Sequence, residues 1–142
     1  LAVCTASNTQ TIAEQIRAQF GEFPEWLKLL PPRQDIASYY RAADIYIQAS
    51  RSEGFCYAIV EAAYCGKTVV ASDCPGMKSH AEKNFDFLWF KNGDSDSLSE
   101  KLGQAVKMSE SSELSAKNRR SAMDNYSIEN MSKKLHRIYA DM

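Results

Sequence analysis

The chain has 142 residues, 44% of them apolar and 25% charged, with a formal net charge of −1, which is the size and make-up of one ordinary globular domain. No concentrated basic face marks a nucleic-acid binder, no stretch nears the roughly 20 apolar residues of a spanning helix, and no charged-then-apolar signal peptide opens the chain. Charge is mildly uneven, −4 over residues 1–100 and +3 over residues 101–142; solvated helix faces account for it, and at most the basic tail grazes an anionic membrane.

Taken in chain order, residues 1–6, LAVCTA, form a short apolar run fit for a buried parallel strand. Ile12, Ala13, Ile16 and Phe20 follow at helical spacing, and Thr11 with Glu14 has the form of a capping box at that helix's start. Residues 26–30, WLKLL, are a second strand, ended by Pro31 and Pro32 because tandem prolines cannot continue a ladder. Asp35 is placed to cap a helix carrying Ile36, Tyr39, Tyr40 and Ala43. A third strand spans residues 44–49, with Ile45, Ile47 and Ala49 on one side and Tyr46 on the other. Ala58, Ile59, Ala62 and Ala63 then make a helical stripe that stops at Gly66, a natural residue for the left-handed C′ position. Residues 68–72, TVVAS, are the fourth strand, and residues 87–90, FLWF, a fifth and weaker one bounded by Asn92 and Gly93. From Asp96 the chain is helical. Leu98, Leu102 and Val106 form one stripe, Leu114 and Ala122 lie on a second segment, and Ile128, Met131, Leu135 and Ile138 form a third, with a break at residues 109–112.

Alternating strands and helices imply an α/β fold with a doubly wound parallel sheet, since successive β–α–β units cross over right-handed. Ligands of such sheets bind at the carboxyl ends of the strands. Three loops meet that requirement: residues 6–10, 30–33 and 50–55. The third opens the segment EGFCYAIVE of residues 53–61, which sets two carboxylates eight positions apart, Glu53 in a loop and Glu61 on a helix. The helix amino terminus falls near Phe55 to Tyr57, where free N–H groups and the helix dipole suit a phosphate. Glu61 lies about 9 Å further on at about 1.5 Å per residue, roughly the reach from a diphosphate to a nucleotide ribose. That spacing fits a nucleotide-sugar. Arg51 is placed to meet a phosphate. Of the four cysteines, at 4, 56, 65 and 74, none forms a C-x-x-C pair. Cys4 and Cys65 read as small buried hydrophobes. The helix amino terminus is expected to lower the pKa of the Cys56 thiol, but no His is its sequence neighbour, so Cys56 reads as a loop residue. His80 and His136 stand alone, with His136 on a basic surface helix.

EGF at residues 53–55, EAAYCG at 61–66 and TVVASD at 68–73, preceded by YRAAD at 40–44, resemble the signature of the carboxy-terminal domain of retaining GT-B glycosyltransferases, family four. Pro75 with Gly76 and Gly93 with Asp94 fall near that family's later landmarks, so the resemblance covers nearly the whole chain. It implies a Rossmann-like half of a GT-B fold, with Glu53 at the donor sugar's reacting end and Glu61 on the ribose hydroxyls. Gly54, Phe55, Cys56 and Tyr57 would line the diphosphate, while Pro32 and Arg33 would flank the nucleobase, unless Arg33 is only a surface charge. The implied activity is hexosyl transfer from a nucleoside-diphosphate sugar to an acceptor hydroxyl in glycan or polysaccharide synthesis. No cofactor or metal is required: Asp94 and Asp96 open a helix and serve as a cap. Partners are the nucleotide-sugar and an acceptor glycan or lipid-linked sugar, with no nucleic acid, and the expected location is cytoplasmic or peripheral at the membrane. The alternatives are a nucleotide-sugar epimerase-like enzyme and a non-catalytic binding or scaffold domain.

Departures from the family pattern carry further expectations. The family domain opens with one more strand and helix, whose loop supplies an Arg and a Lys for the diphosphate, so the chain reads as one truncated carboxy-terminal domain, residues 1–142, of a longer two-domain enzyme. On its own it is expected to turn over poorly and to self-associate by pairing of strand edges the missing first strand would cover, by strand exchange, or by burial of the Ile128, Met131, Leu135 and Ile138 helix face. Cys56 and Tyr57 follow Phe55 where a small residue and then Leu or a polar group are usual. Pro75 and Gly76 replace a Gly-Gly turn, Ser79 stands where a Glu falls, and Asp86 stands where Gly is common.

Overall fold

The computed structural model describes residues 2–4, 8–109 and 111–141, with side chains from Asn8 onward. The first strand's expected ends at residues 1, 5 and 6, the start of the loop at residues 6–7 and the side chain of Cys4 lie outside the described residues. Two compact units make up the chain, residues 1–36 and residues 37–142.

In the first unit, β1 (Ala2–Cys4) pairs in parallel with β2 (Lys28–Leu30), Val3 opposite Leu29, across α1 (Thr9–Phe20). Helix α1 starts two residues before Thr11. Asn8 is the N-cap, its side chain accepting from the Gln10 amide at 3.0 Å, so the expected capping box of Thr11 and Glu14 is displaced by an earlier and better placed acceptor. Strand β2 begins at Lys28 because residues 24–27 close a turn, the Leu27 amide donating to the Pro24 carbonyl at 3.0 Å. Trp26 therefore lies in a turn, 60% exposed.

The second unit follows the order α2 (Ile36–Ala42), β3 (Ile45–Gln48), α3 (Tyr57–Tyr64), β4 (Thr68–Ser72), α4 (Lys78–Ala81), β5 (Leu88–Phe90), α5 (Ser95–Met108), α6 (Ser112–Tyr126) and α7 (Ile128–Ala140). Its three strands form a parallel ladder, β3-β4-β5, with Ile47 opposite Val70 and Ala71 opposite Trp89. Every residue of the central strand β4 is buried, as a β-branched run covered on both faces should be. Val70 and Phe90 pack against Ala105 of α5, with Ile45, Ile47, Leu88, Leu98 and Leu102 around them. The α5 stripe is thus Leu98, Leu102, Ala105; Val106, expected inward, is 65% exposed, because the i+7 position holds the line of the stripe better than i+8.

Helix α3 buries Ile59, Val60, Ala62 and Ala63 and packs on α6. It ends in a Schellman motif: Gly66 has φ +74°, its amide meets the Ala63 carbonyl at 2.9 Å, and the Lys67 amide meets that of Ala62 at 3.0 Å. Asp94, Ser111 and Ser127 cap α5, α6 and α7 through their side chains. Asp86 does work a glycine could not, since its carboxylate pairs with Lys117 on α6 at 2.7 Å; its backbone amide, as any residue's would there, donates to the buried Asn118 Oδ1 at 2.8 Å.

Candidate functional site

The β3–α3 loop, residues 49–56, leaves the carboxyl end of β3 and is held from three sides within the second unit. From β4, the Ser72 hydroxyl donates to the Ser50 carbonyl at 2.5 Å. From beyond β5, the Asn92 side chain donates to the Arg51 carbonyl at 2.8 Å, while its own amide donates to Asp73. From the segment after β4, the Pro75 carbonyl accepts the Glu53 amide at 3.4 Å. Gly76 makes that last approach sterically allowed: a Cβ there would stand 1.9 Å from the Glu53 carbonyl oxygen, so the Pro75-Gly76 turn is a backbone support for the loop.

Glu53 is half-buried, and two side chains donate to the same oxygen, Oε1: Gln48 Nε2 at 3.0 Å and the Ser50 hydroxyl at 2.6 Å. Gln48 also donates to Ser50 Oγ at 2.6 Å and accepts from the Tyr46 hydroxyl. Glu61, exposed on α3, accepts from the Tyr40 hydroxyl at 3.1 Å. The Tyr40 ring, 7% exposed, stands edge-on to that of Tyr46 with centroids 5.4 Å apart. Burial pushes the Tyr40 phenol far above its ordinary pKa, with Tyr46 and Glu61 adding to the shift, so it acts only as a donor to Glu61. The two carboxylates are therefore ends of one connected set, Glu53–Gln48–Tyr46–Tyr40–Glu61, running from loop to strand to helix.

The other residues singled out from the sequence are placed as follows. Gly54 is exposed, with open space where a Cβ would stand. Phe55 is half-buried and packs on Tyr57, whose own ring is 65% exposed. Arg51 is exposed on the loop. Pro32 and Arg33 belong to the first unit, exposed after β2, where Arg33 Nε lies 3.3 Å from Asp35.

Cys56 corrects an expectation. It is the N-cap of α3, with left-handed backbone (φ 58°) and no side-chain cap hydrogen bond. Burial pushes its thiol pKa up, outweighing the lowering pull of the Ile59 and Ala58 amides, so the helix terminus does not activate it. Gln48, Ser50 and Tyr40 are further residues of the site; in the sequence Gln48 shows only as a polar residue closing an apolar strand, and Tyr40 only as the head of the YRAAD segment. His80, read as a lone histidine, is fully buried beside Phe55.

Residues 22–138 match the family of glycosyl transferases group 1. Over 73 residues, 51% of this chain and 19% of the relative, the sequence is 38% identical to the N,N'-diacetylbacillosaminyl-diphospho-undecaprenol alpha-1,3-N-acetylgalactosaminyltransferase of Campylobacter jejuni. Among solved structures, sucrose-phosphate synthase from Thermosynechococcus elongatus superposes with a TM-score of 0.84 at 18% identity, over 99% of this chain and 38% of that one. Anabaena Alr3699/HepE, crystallised with UDP-glucose, superposes at 0.79 and 21% identity, over 94% and 36%. The chain thus spans about a fifth of that curated relative and just over a third of those structures, and their likeness to it is one of fold. By the extent of the family match, the chain belongs to the glycosyl transferases group 1.

Proposed function

We propose that this chain is the donor-binding part of a retaining, family-four glycosyltransferase that moves a hexosyl group from a nucleoside-diphosphate sugar to an acceptor hydroxyl. The observation that carries the reading is the set of contacts linking Glu53 to Glu61: hydrogen bonds from Glu53 through Gln48 to Tyr46, an edge-on ring contact from Tyr46 to Tyr40, and a hydrogen bond from Tyr40 to Glu61. Such a set fixes two carboxylates relative to each other on one strand–loop–helix unit, which is what simultaneous recognition of a sugar and a ribose needs.

In this reading Glu53, with Oε1 already held by Gln48 and Ser50, turns Oε2 to the donor sugar and complements positive charge developing at the anomeric carbon. The amino terminus of α3, which lacks a side-chain cap, receives the departing diphosphate through its free amides. Glu61 accepts from the ribose hydroxyls. Arg51 adds a positive charge near the diphosphate. A lipid-linked sugar is the acceptor class favoured by the relative's name, which specifies a diphospho-undecaprenol substrate.

The test is transfer by the full-length protein with UDP-sugars as donors. Product anomeric configuration read by NMR should match the donor's, and Glu53→Gln should lower turnover by about 10² while UDP affinity stays within about twofold. Inverted product removes the retaining assignment, and a near-wild-type rate for Glu53→Gln removes Glu53 from the reaction.

A further inference from the structure

His80 has no exposed surface, yet both ring nitrogens are engaged: Nε2 lies 2.5 Å from the Phe55 carbonyl oxygen and Nδ1 lies 3.0 Å from the Tyr126 hydroxyl. A carbonyl can only accept, so Nε2 carries the proton; Nδ1 is then bare and accepts from Tyr126. Burial depresses the imidazole pKa, which favours that neutral form. The ring is clamped as well. Phe55 stands edge-on to it at 4.4 Å, and Tyr126 lies 5.6 Å away.

The bond falls at a telling point of the chain. Phe55 directly precedes Cys56, whose φ of 58° is a left-handed conformation that a non-glycine residue holds only when its surroundings impose it. Two residues earlier, the Glu53 amide is bonded to Pro75. Segment 75–80 therefore grips residues 53–55 at both ends, by Pro75 at Glu53 and by His80 at Phe55, and Tyr126 at the end of α6 anchors the grip.

We propose that His80 is a positioning residue for glycosyl transfer: through the Phe55 carbonyl it holds residues 53–55 in the geometry that presents Glu53, and Tyr126, donating to Nδ1, anchors the ring in place. This rests on the assignment of Glu53 to the donor sugar made above. A loop released at Phe55 can relax its left-handed turn and displace Glu53, and displacements of about 1 Å cost up to about a hundredfold in rate.

The experiment uses the full-length protein and whichever of UDP-glucose, UDP-galactose and their N-acetyl forms the wild type turns over fastest. His80→Ala should lower kcat about ten- to a hundredfold with KM within about threefold, and His80→Gln, which keeps an N–H donor, should recover most of it. In a Glu53→Gln background, His80→Ala should add nothing, since the residue it positions is gone. Tyr126→Phe should lower kcat by about threefold by loosening the ring, while ¹⁵N NMR of the wild-type imidazole should report the Nε2–H tautomer; this arm serves if His80→Ala does not fold. An unchanged kcat in folded His80→Ala, an equal loss in both backgrounds, or an Nδ1–H tautomer in the wild type overturns the inference. A wild-type rate for Glu53→Gln alone would instead overturn the assignment of Glu53.

Discussion

At the residue scale, Glu53 and Glu61 are supported unequally. Glu53 takes two donors on one oxygen inside a loop braced from β4, from beyond β5 and from the Pro75-Gly76 turn, whereas Glu61 leans on a single phenol. Tyr40→Phe should therefore loosen Glu61 selectively. Removing a hydroxyl that serves a carboxylate costs about 1 kcal/mol once the exposure of Glu61 is allowed for, so urea unfolding should shift by that amount and UDP affinity should fall about fivefold; an unchanged affinity would show that Tyr40 does not orient Glu61. The two carboxylates were legible in the sequence because they flank a strand-to-helix junction at fixed spacing. Gln48, Ser50 and His80 were not, because their partners are chosen by convergence in space: His80 lies 25 residues from Phe55 and 46 from Tyr126. Cys56 went the other way for the same reason. A string reveals the helix terminus beside a thiol but not the burial that dominates its pKa.

At the scale of elements, short apolar runs located the five strands among the described residues and helical periodicity the long helices, and errors gathered at their ends. Turns and caps decide those ends, and they depend on single hydrogen bonds such as Leu27 to Pro24 or Gln10 to Asn8. Helix α4 had no signal, since four residues are too few to show a period. It nevertheless carries His80, which ties α4 to the loop and to α6. Because burial lowers the His80 pKa from its ordinary 6.5, the unfolded chain takes up that proton at a higher pH than the folded one. The stability from His80 is thus complete above pH 6.5 and is lost as pH falls through the lowered folded value. Urea midpoints measured from about pH 7.5 down to about pH 5 should decline more steeply for wild type than for His80→Gln; parallel declines would mean that His80 titrates alike in both states.

At the scale of the molecule, no described helix is long and apolar enough to cross a membrane, but α7 presents a continuous apolar face, with Ile128, Met131, Leu135, Ile138 and Tyr139 all exposed. Among the described residues the β3-β4-β5 ladder also ends at β3 without a further strand. We propose that the 142-residue chain on its own self-associates through these surfaces. Light scattering in the high micromolar range should report dimers or larger species, reduced by Leu135→Lys; a strict monomer would contradict it. The α/β class was legible from the alternation of elements. The division into two units was not, since it depends on which strands share ladders rather than on which segments are strands. The central claim is that Glu61 holds the nucleotide of the donor, and calorimetric titration of UDP into the full-length protein tests it most directly. Glu61→Ala should weaken UDP about tenfold or more, the loss of charge-assisted hydrogen bonds worth about 1.5 to 3 kcal/mol, with unfolding shifted only by the roughly 1 kcal/mol of the Tyr40 hydrogen bond; UDP bound as tightly by the variant as by the wild type would contradict the account.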